Sequence, residues 1–240
     1  MKDVSWFISI CVNNGLILSV RQSEEFEKYR KLLLRWNEQI NLISRKDEGN
    51  FYSNHALNSI SFLFKKKLKT DAEILDLGTG GGLPGIPLKI LYPRLELVLL
   101  DSITKKTSAL SAIVNEMALE NVRVVTGRAE ELAKTHEFKG HFDYVVSRAA
   151  GKLDDVAKWS RGFLRSFGSY GSETVPTGTL VVLKGGGFEE ELKHTKSLKF
   201  VDSVEVTGIT FNGMDEIDNR EKKLVLIKYK DATSPVRRKN

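Results

Sequence analysis

The 240-residue chain has a single cysteine, Cys11. That excludes an internal disulfide and a cysteine metal cluster, and it suits a reducing compartment, so a cytoplasmic protein is expected. The plain reading of Cys11 is a small apolar side chain in a helix. No apolar run approaches the roughly 18 residues of a membrane span. Trp6–Val12 follows Lys2 and is apolar, but Asp3 precedes it and Asn13, Asn14 and Gly15 break it, so no signal peptide is expected. Histidines number four. None stands at metal-ligand spacing from His55, so no metal site is expected. Neither sign of charge dominates: 37 Lys+Arg against 31 Asp+Glu give a net +6, which permits a polyanionic partner without demonstrating one. Internal repeats are absent.

Glycine, by contrast, is concentrated where it matters. Ile74 to Pro87 reads Ile-Leu-Asp-Leu-Gly-Thr-Gly-Gly-Gly-Leu-Pro-Gly-Ile-Pro. A short apolar run predicts a buried parallel strand, the glycines a sharp turn with close backbone approach, and Pro84 and Pro87 the first turn of a helix. Two ligand classes use such a turn. Gly80, Gly82 and Gly85 fit the G-x-G-x-x-G of dinucleotide sites. Asp76, Gly78, Gly80 and Gly82 fit the acid-x-Gly-x-Gly-x-Gly of S-adenosylmethionine sites. The acid separates them: a carboxylate beside a pyrophosphate repels it, whereas one beside an ammonium group attracts it. S-adenosylmethionine is therefore the expected cofactor. A nicotinamide-dependent oxidoreductase is the alternative enzyme.

The chain up to about residue 70 reads as a helical extension. A short helix is followed by one capped at Ser23, carrying Phe26, Tyr29, Leu33, Trp36 and Ile40 at helical spacing. That stripe is expected in the core rather than as a base-stacking surface. Phe51–Phe64 reads as a further helix with His55 near its start, in a solvent-facing or capping position. Lys65-Lys66-Lys67-Leu68-Lys69 reads as a solvated linker or a phosphate contact.

From Glu73 strands and helices alternate. Strands are expected at 74–77, 95–100, 122–126, 142–147 and 178–184, with helices at 84–91, 105–119, 153–165 and 188–195. Phe167–Thr177 reads as a flexible loop. Phe200–Val206 and Lys223–Tyr229 have no helix between them, which predicts an antiparallel pair at one edge of the sheet. The expected fold is α/β: a Rossmann-like class I methyltransferase with a mostly parallel seven-stranded sheet and an antiparallel edge strand. Residues 1–70 form the extension, 71–230 the methyltransferase domain and 231–240 a basic tail.

In such sheets ligands bind at the carboxyl ends of the strands. Asp101 ends the second strand, where a carboxylate accepts ribose hydroxyls. Ala129 and Glu130 follow the third, where they can read an adenine edge, or simply start a helix. The fourth ends at Ser147-Arg148-Ala149-Ala150. No Asn/Asp-Pro-Pro-aromatic run stands there, and the lone cysteine is far upstream. Amino-group methylation and covalent attack on a pyrimidine are therefore both disfavoured. Arg148 offers a planar fork for a carboxylate, a phosphate or a guanine edge, or for a structural ion pair.

Taken together, Asn41-Leu42 with His55, the run from Asp76 to Pro87, Leu100-Asp101-Ser102 with Lys105-Lys106, Gly127-Arg128-Ala129-Glu130 and Ser147-Arg148-Ala149 resemble a known family. It is that of the bacterial small-subunit ribosomal RNA guanine-N7 methyltransferases, also called glucose-inhibited division protein B. The resemblance runs from about Phe26 to Tyr229. It implies methylation of one guanine in 16S ribosomal RNA, bare or in a small-subunit particle. It implies cofactor contacts at Gly78, Leu83, Ala129, Glu130 and Arg148, to which the motif reading adds Asp76, Gly80, Gly82, Asp101 and Ser102. Two departures stand out. Asn58 occupies a place where the family usually carries aspartate, and the Phe167–Thr177 loop is longer than usual.

Guanine N7 carries an unprotonated lone pair, so no general base is expected. Arg148 would orient groups in the pocket. Lys105, Lys106, Arg128 and His55 are the candidate RNA contacts, each also readable as an ordinary charge or cap. A monomer is expected. A non-catalytic RNA-binding assembly factor on the same fold is the second alternative.

Overall fold

A computed structural model describes residues 2–168, 171–213 and 222–230. Helix α1 spans Val4–Asn13 and α2 spans Val20–Asn37. The second helix starts earlier than its expected cap: Ser19, not Ser23, is the N-cap. Its hydroxyl accepts from Gln22 N–H while the Gln22 side chain accepts from Ser19 N–H, a complete capping box. Phe26, Tyr29 and Leu33 are fully buried, as the spacing requires.

Phe51–Phe64 is helical throughout but irregular. Phe51–Ala56 makes π-type turns, α3 covers only Leu57–Ile60, and Ser61–Phe64 tightens into a 3₁₀ turn. The lysine run that follows is engaged rather than merely solvated. Lys65 Nζ donates to the Gly208 carbonyl at 3.2 Å, and Lys67 pairs with Glu173 at 3.1 Å. Lys67 N–H also donates to the Glu173 carbonyl, and Val175 N–H to the Lys67 carbonyl. The described part of the 167–177 loop is thereby anchored, with Val175 fully buried.

The sheet strands are β1 Glu73–Leu77, β2 Glu96–Asp101, β3 Val122–Thr126, β4 Tyr144–Arg148, β5 Thr179–Lys184, β6 Val201–Gly208 and β7 Lys223–Tyr229. Their spatial order is β3-β2-β1-β4-β5-β7-β6. The first five are mutually parallel. The expected antiparallel pair lies at one edge, with β7 as its inner strand, antiparallel to both β5 and β6. Connecting helices are α4 Gly85–Leu91, α5 Thr104–Met117, α6 Ala129–Leu132, α7 Leu153–Ser160 and α8 Glu189–Ser197. The α7 helix is shorter than expected, and Phe142 precedes β4 and bridges to Leu164 instead.

Side chains alternate across the sheet. Ile74, Leu97, Leu99 and Val146 join a core built with α2, α4, α5 and the N-terminal helices. Leu75, Leu77, Val98, Leu100 and Val145 join a second core against α7. The first core runs without a break from Phe7 to Leu226, so the helical extension and the sheet share one interior. The expected basic tail lies outside the described residues.

Candidate active site

The β1 strand ends at Leu77, and the chain turns back at once. Gly78 takes φ +71°, and a Cβ there would lie 2.4 Å from the Ala150 Cβ, so the position is closed to other residues. Behind the turn sits Asp76, fully buried. Its Oδ2 accepts from the Thr79 hydroxyl at 2.7 Å and from Gly85 N–H at 2.8 Å, tying the strand end to the start of α4. Oδ1 has no hydrogen-bond partner. Burial pushes its carboxyl up to about 7, against the pull of the Thr79 and Gly85 bonds and of the Arg148 charge. From the other side, the Tyr29 hydroxyl of α2 donates to the Gly81 carbonyl at 2.8 Å.

In front of the turn lies a cavity of about 400 Å³ at the carboxyl ends of the parallel strands. Gly78, Gly80 and Leu83 form its floor, with Asp101 and Ser102 at the end of β2, Ala129 and Glu130 at the start of α6, and Arg148 at the end of β4. Eight of the residues expected from sequence thus meet around one space. Asp76 and Gly82 do not line it. Asp76 braces the turn from behind, and a Cβ on Gly82 would meet Ile86 and Leu110 in the core.

Asp101 is buried, with Oδ2 accepting from Gly80 N–H and Oδ1 from Ile103 N–H, both at 3.0 Å. A carboxylate has about four acceptor positions, so capacity remains for hydroxyls of a ligand.

The candidate RNA contacts do not stay together. Lys106 and Arg128 line the cofactor cavity itself, Lys105 is exposed on α5, and His55 is in neither group. The expectation of a solvent-facing or capping His55 fails: it is 7% exposed and packs near Phe51. Arg148 explains why. Its Nη1 donates to the Asn54 carbonyl and its Nη2 to His55 Nδ1, both at 3.0 Å. A guanidinium has no acceptor, so Nδ1 accepts and the imidazole proton sits on Nε2, 3.9 Å from Asp47 Oδ2. Burial and the Arg148 charge hold the His55 pKa down at about 4, so the ring is neutral. Part of the Arg148 fork is therefore spent on the N-terminal segment. The guanidinium is itself buried, which lowers its pKa from the ordinary value.

Residues not anticipated also line the cavity. Thr79, Ile103, Ala150 and Trp159 are among them. Thr79 and Ala150 lie inside motifs already singled out. Ile103 stands two residues after the strand-end acid and is 47% exposed. Trp159 comes from α7.

The family model described as rRNA small subunit methyltransferase G matches residues 22–222. Among curated relatives, the protein of that name from Porphyromonas gingivalis is 42% identical over 73% of this chain and 75% of its own. The one from Lachnoclostridium phytofermentans is 34% identical over 95% and 90% respectively. Among solved structures, an S-adenosylmethionine-dependent methyltransferase from Aquifex aeolicus superposes with a TM-score of 0.52 at 12% identity, over 81% of this chain and 97% of its own. A predicted O-methyltransferase from Agrobacterium tumefaciens gives 0.51 at 15% identity, over 73% and 80%. These last two bear on the fold alone. With most of its length matched by the family model, and with its glycine turn, strand-end acid and Arg148 gathered around one cavity, the chain belongs to the rRNA small subunit methyltransferase G family.

Proposed function

We propose that the protein transfers a methyl group from S-adenosylmethionine to N7 of a guanine in 16S ribosomal RNA, acting as a cytoplasmic enzyme on the small subunit or its RNA. The observation that carries this reading is the composition of the cavity wall at the end of β4. Arg148, Ala149 and Ala150 stand there, and none of these three side chains can accept a proton from the substrate. A nucleophile that is already unprotonated suits such a wall, and guanine N7 is one.

The residues present fit the cofactor. Gly78, Gly80 and Leu83 would cradle its amino-acid end, Asp101 its ribose hydroxyls, and the Ala129–Glu130 backbone its adenine edge. Bound S-adenosylmethionine would supply a methyl on a sulfonium, which N7 would take with its own lone pair while the C–S electron pair stayed on sulfur, so that no proton would need to move. Asp76 contributes by holding the turn. Arg148, fixed by Asn54 and His55, holds the wall between cofactor and substrate. Catalysis then rests on positioning and on exclusion of water. Residues 1–70 serve this domain by supplying the groups that fix Arg148.

The test is incubation of the purified protein with labelled S-adenosylmethionine and small-subunit RNA, both bare and as particles from cells lacking the protein. Nucleosides are then identified by mass. We expect 7-methylguanosine, lost in Arg148→Ala. Cofactor binding with no methylated RNA would favour a non-catalytic assembly factor.

A further inference from the structure

A second cavity of about 630 Å³ adjoins the first and shares Arg148 and Ala149 with it. One wall is the N-terminal helical segment, through Asp47, Asn58 and Ser61. The other is the end of β5 and the start of β7, with Lys222 and Lys223 beside it.

The π-type turns set the chemistry of the first wall. Within them the Asn54 carbonyl accepts twice from side chains, from Arg148 Nη1 at 3.0 Å and from Asn58 Nδ2 at 2.8 Å. The second bond fixes the Asn58 amide: its nitrogen faces the carbonyl and Oδ1 faces away. That Oδ1 is buried without a hydrogen-bond partner, and so is the Ser61 Oγ, three residues on. Ser61 is 1% exposed. An unmet buried acceptor is destabilising, and a ligand donor would recover that loss.

We propose that this second cavity receives the guanine base to be methylated, with Asn58 Oδ1 and Ser61 Oγ reading its N1–H and 2-amino donors. This assignment rests on the RNA methyltransferase reading above. In guanine those donors lie on the Watson–Crick edge and N7 on the other. Engaging them turns N7 away from Asn58, toward the wall that the two cavities share. Adenine presents an acceptor at N1 and meets Asn58 with repulsion. Hypoxanthine keeps N1–H but lacks the 2-amino group. Asp47, whose Oδ1 accepts from Asn54 Nδ2 at 2.8 Å, gives this cavity a carboxylate to balance the positive charge that N7 methylation leaves on the purine.

The test titrates guanosine, inosine and adenosine 5′-monophosphates into the full chain saturated with S-adenosylhomocysteine, read by saturation-transfer NMR. The expected order is guanosine tightest, inosine severalfold weaker and adenosine at least about tenfold weaker, in line with a loss of one to two hydrogen bonds. Asn58→Leu should lose about tenfold for the guanosine nucleotide and flatten the ranking, with S-adenosylmethionine affinity unchanged. Asn58→Asp should keep the preference. Should Asn58→Leu fail to fold, the wild-type ranking and Ser61→Ala decide. Equal binding of the adenosine and guanosine nucleotides, or an undiminished preference in Asn58→Leu, would overturn the assignment. Formation of 7-methylguanosine without a guanosine preference overturns this site alone. A guanosine preference without methylated RNA overturns the activity and leaves the site.

Discussion

Asp76 and His55 are buried titratable groups near Arg148, and their shifts act on stability in opposite directions. The His55 pKa falls from 6.5 to about 4 on folding, so between those values the unfolded chain binds the extra proton and stability rises with pH. The Asp76 carboxyl rises from 3.8 to about 7, so there the folded chain holds the extra proton and stability falls as pH rises. Between about pH 4 and 6.5 the two slopes offset each other. Asp76→Asn removes one of them, and the variant should gain stability relative to wild type by on the order of 3 kcal/mol across that window. Urea unfolding at pH 4.5, 5.5 and 6.5 checks this; parallel curves for variant and wild type would refute it. The same carboxylate orders the cofactor turn through Thr79 and Gly85. Asp76→Ala should therefore weaken S-adenosylmethionine binding at least about tenfold by calorimetry, through two lost hydrogen bonds that order the turn. Gly78→Ala should do the same by collision with Ala150.

At the level of elements, α2 does more than fill the core. Its capping box sets the N-terminus at Val20, and Tyr29 reaches the Gly81 carbonyl. Ser19→Ala should cost about 1 kcal/mol of stability with little effect on cofactor affinity. Tyr29→Phe leaves a buried carbonyl without its donor, and should lower both stability and cofactor affinity, by about 1–3 kcal/mol in stability. Thermal unfolding with and without S-adenosylmethionine separates the two effects. The irregular 51–64 segment is where sequence periodicity misleads. Its apolar residues repeat as in an ordinary helix and are buried accordingly. The π-type turns, within which the Asn54 carbonyl accepts from Arg148, leave no mark on that pattern.

For the whole molecule, the net charge of +6 is modest, and many basic side chains are engaged internally. RNA binding should still weaken as salt rises, with a log–log slope reporting the number of phosphates contacted. Fluorescence anisotropy with a small-subunit RNA fragment at several salt concentrations measures it, and a flat dependence would rule out phosphate contacts as the main source of affinity. Among the described residues no helix is long and apolar enough to cross a membrane.

Sequence alone was enough for the parallel strands, the glycine turn and the strand-end acids, because each depends on local chemistry: short continuous apolar runs, glycines at positive φ, an acid at a strand terminus. Even the inserted antiparallel strand was foreshadowed by the lack of a helical sequence pattern between Val206 and Lys223. Tertiary structure decided the rest. It placed Asp76 behind the turn, because a fully buried carboxylate must find its donors among nearby backbone and hydroxyl groups. It also buried His55 beneath Arg148, because a buried guanidinium needs acceptors, and the packed N-terminal segment supplies them from more than ninety residues away. Contacts between residues so far apart are fixed by which surfaces meet when the core closes, and no local spacing records that choice.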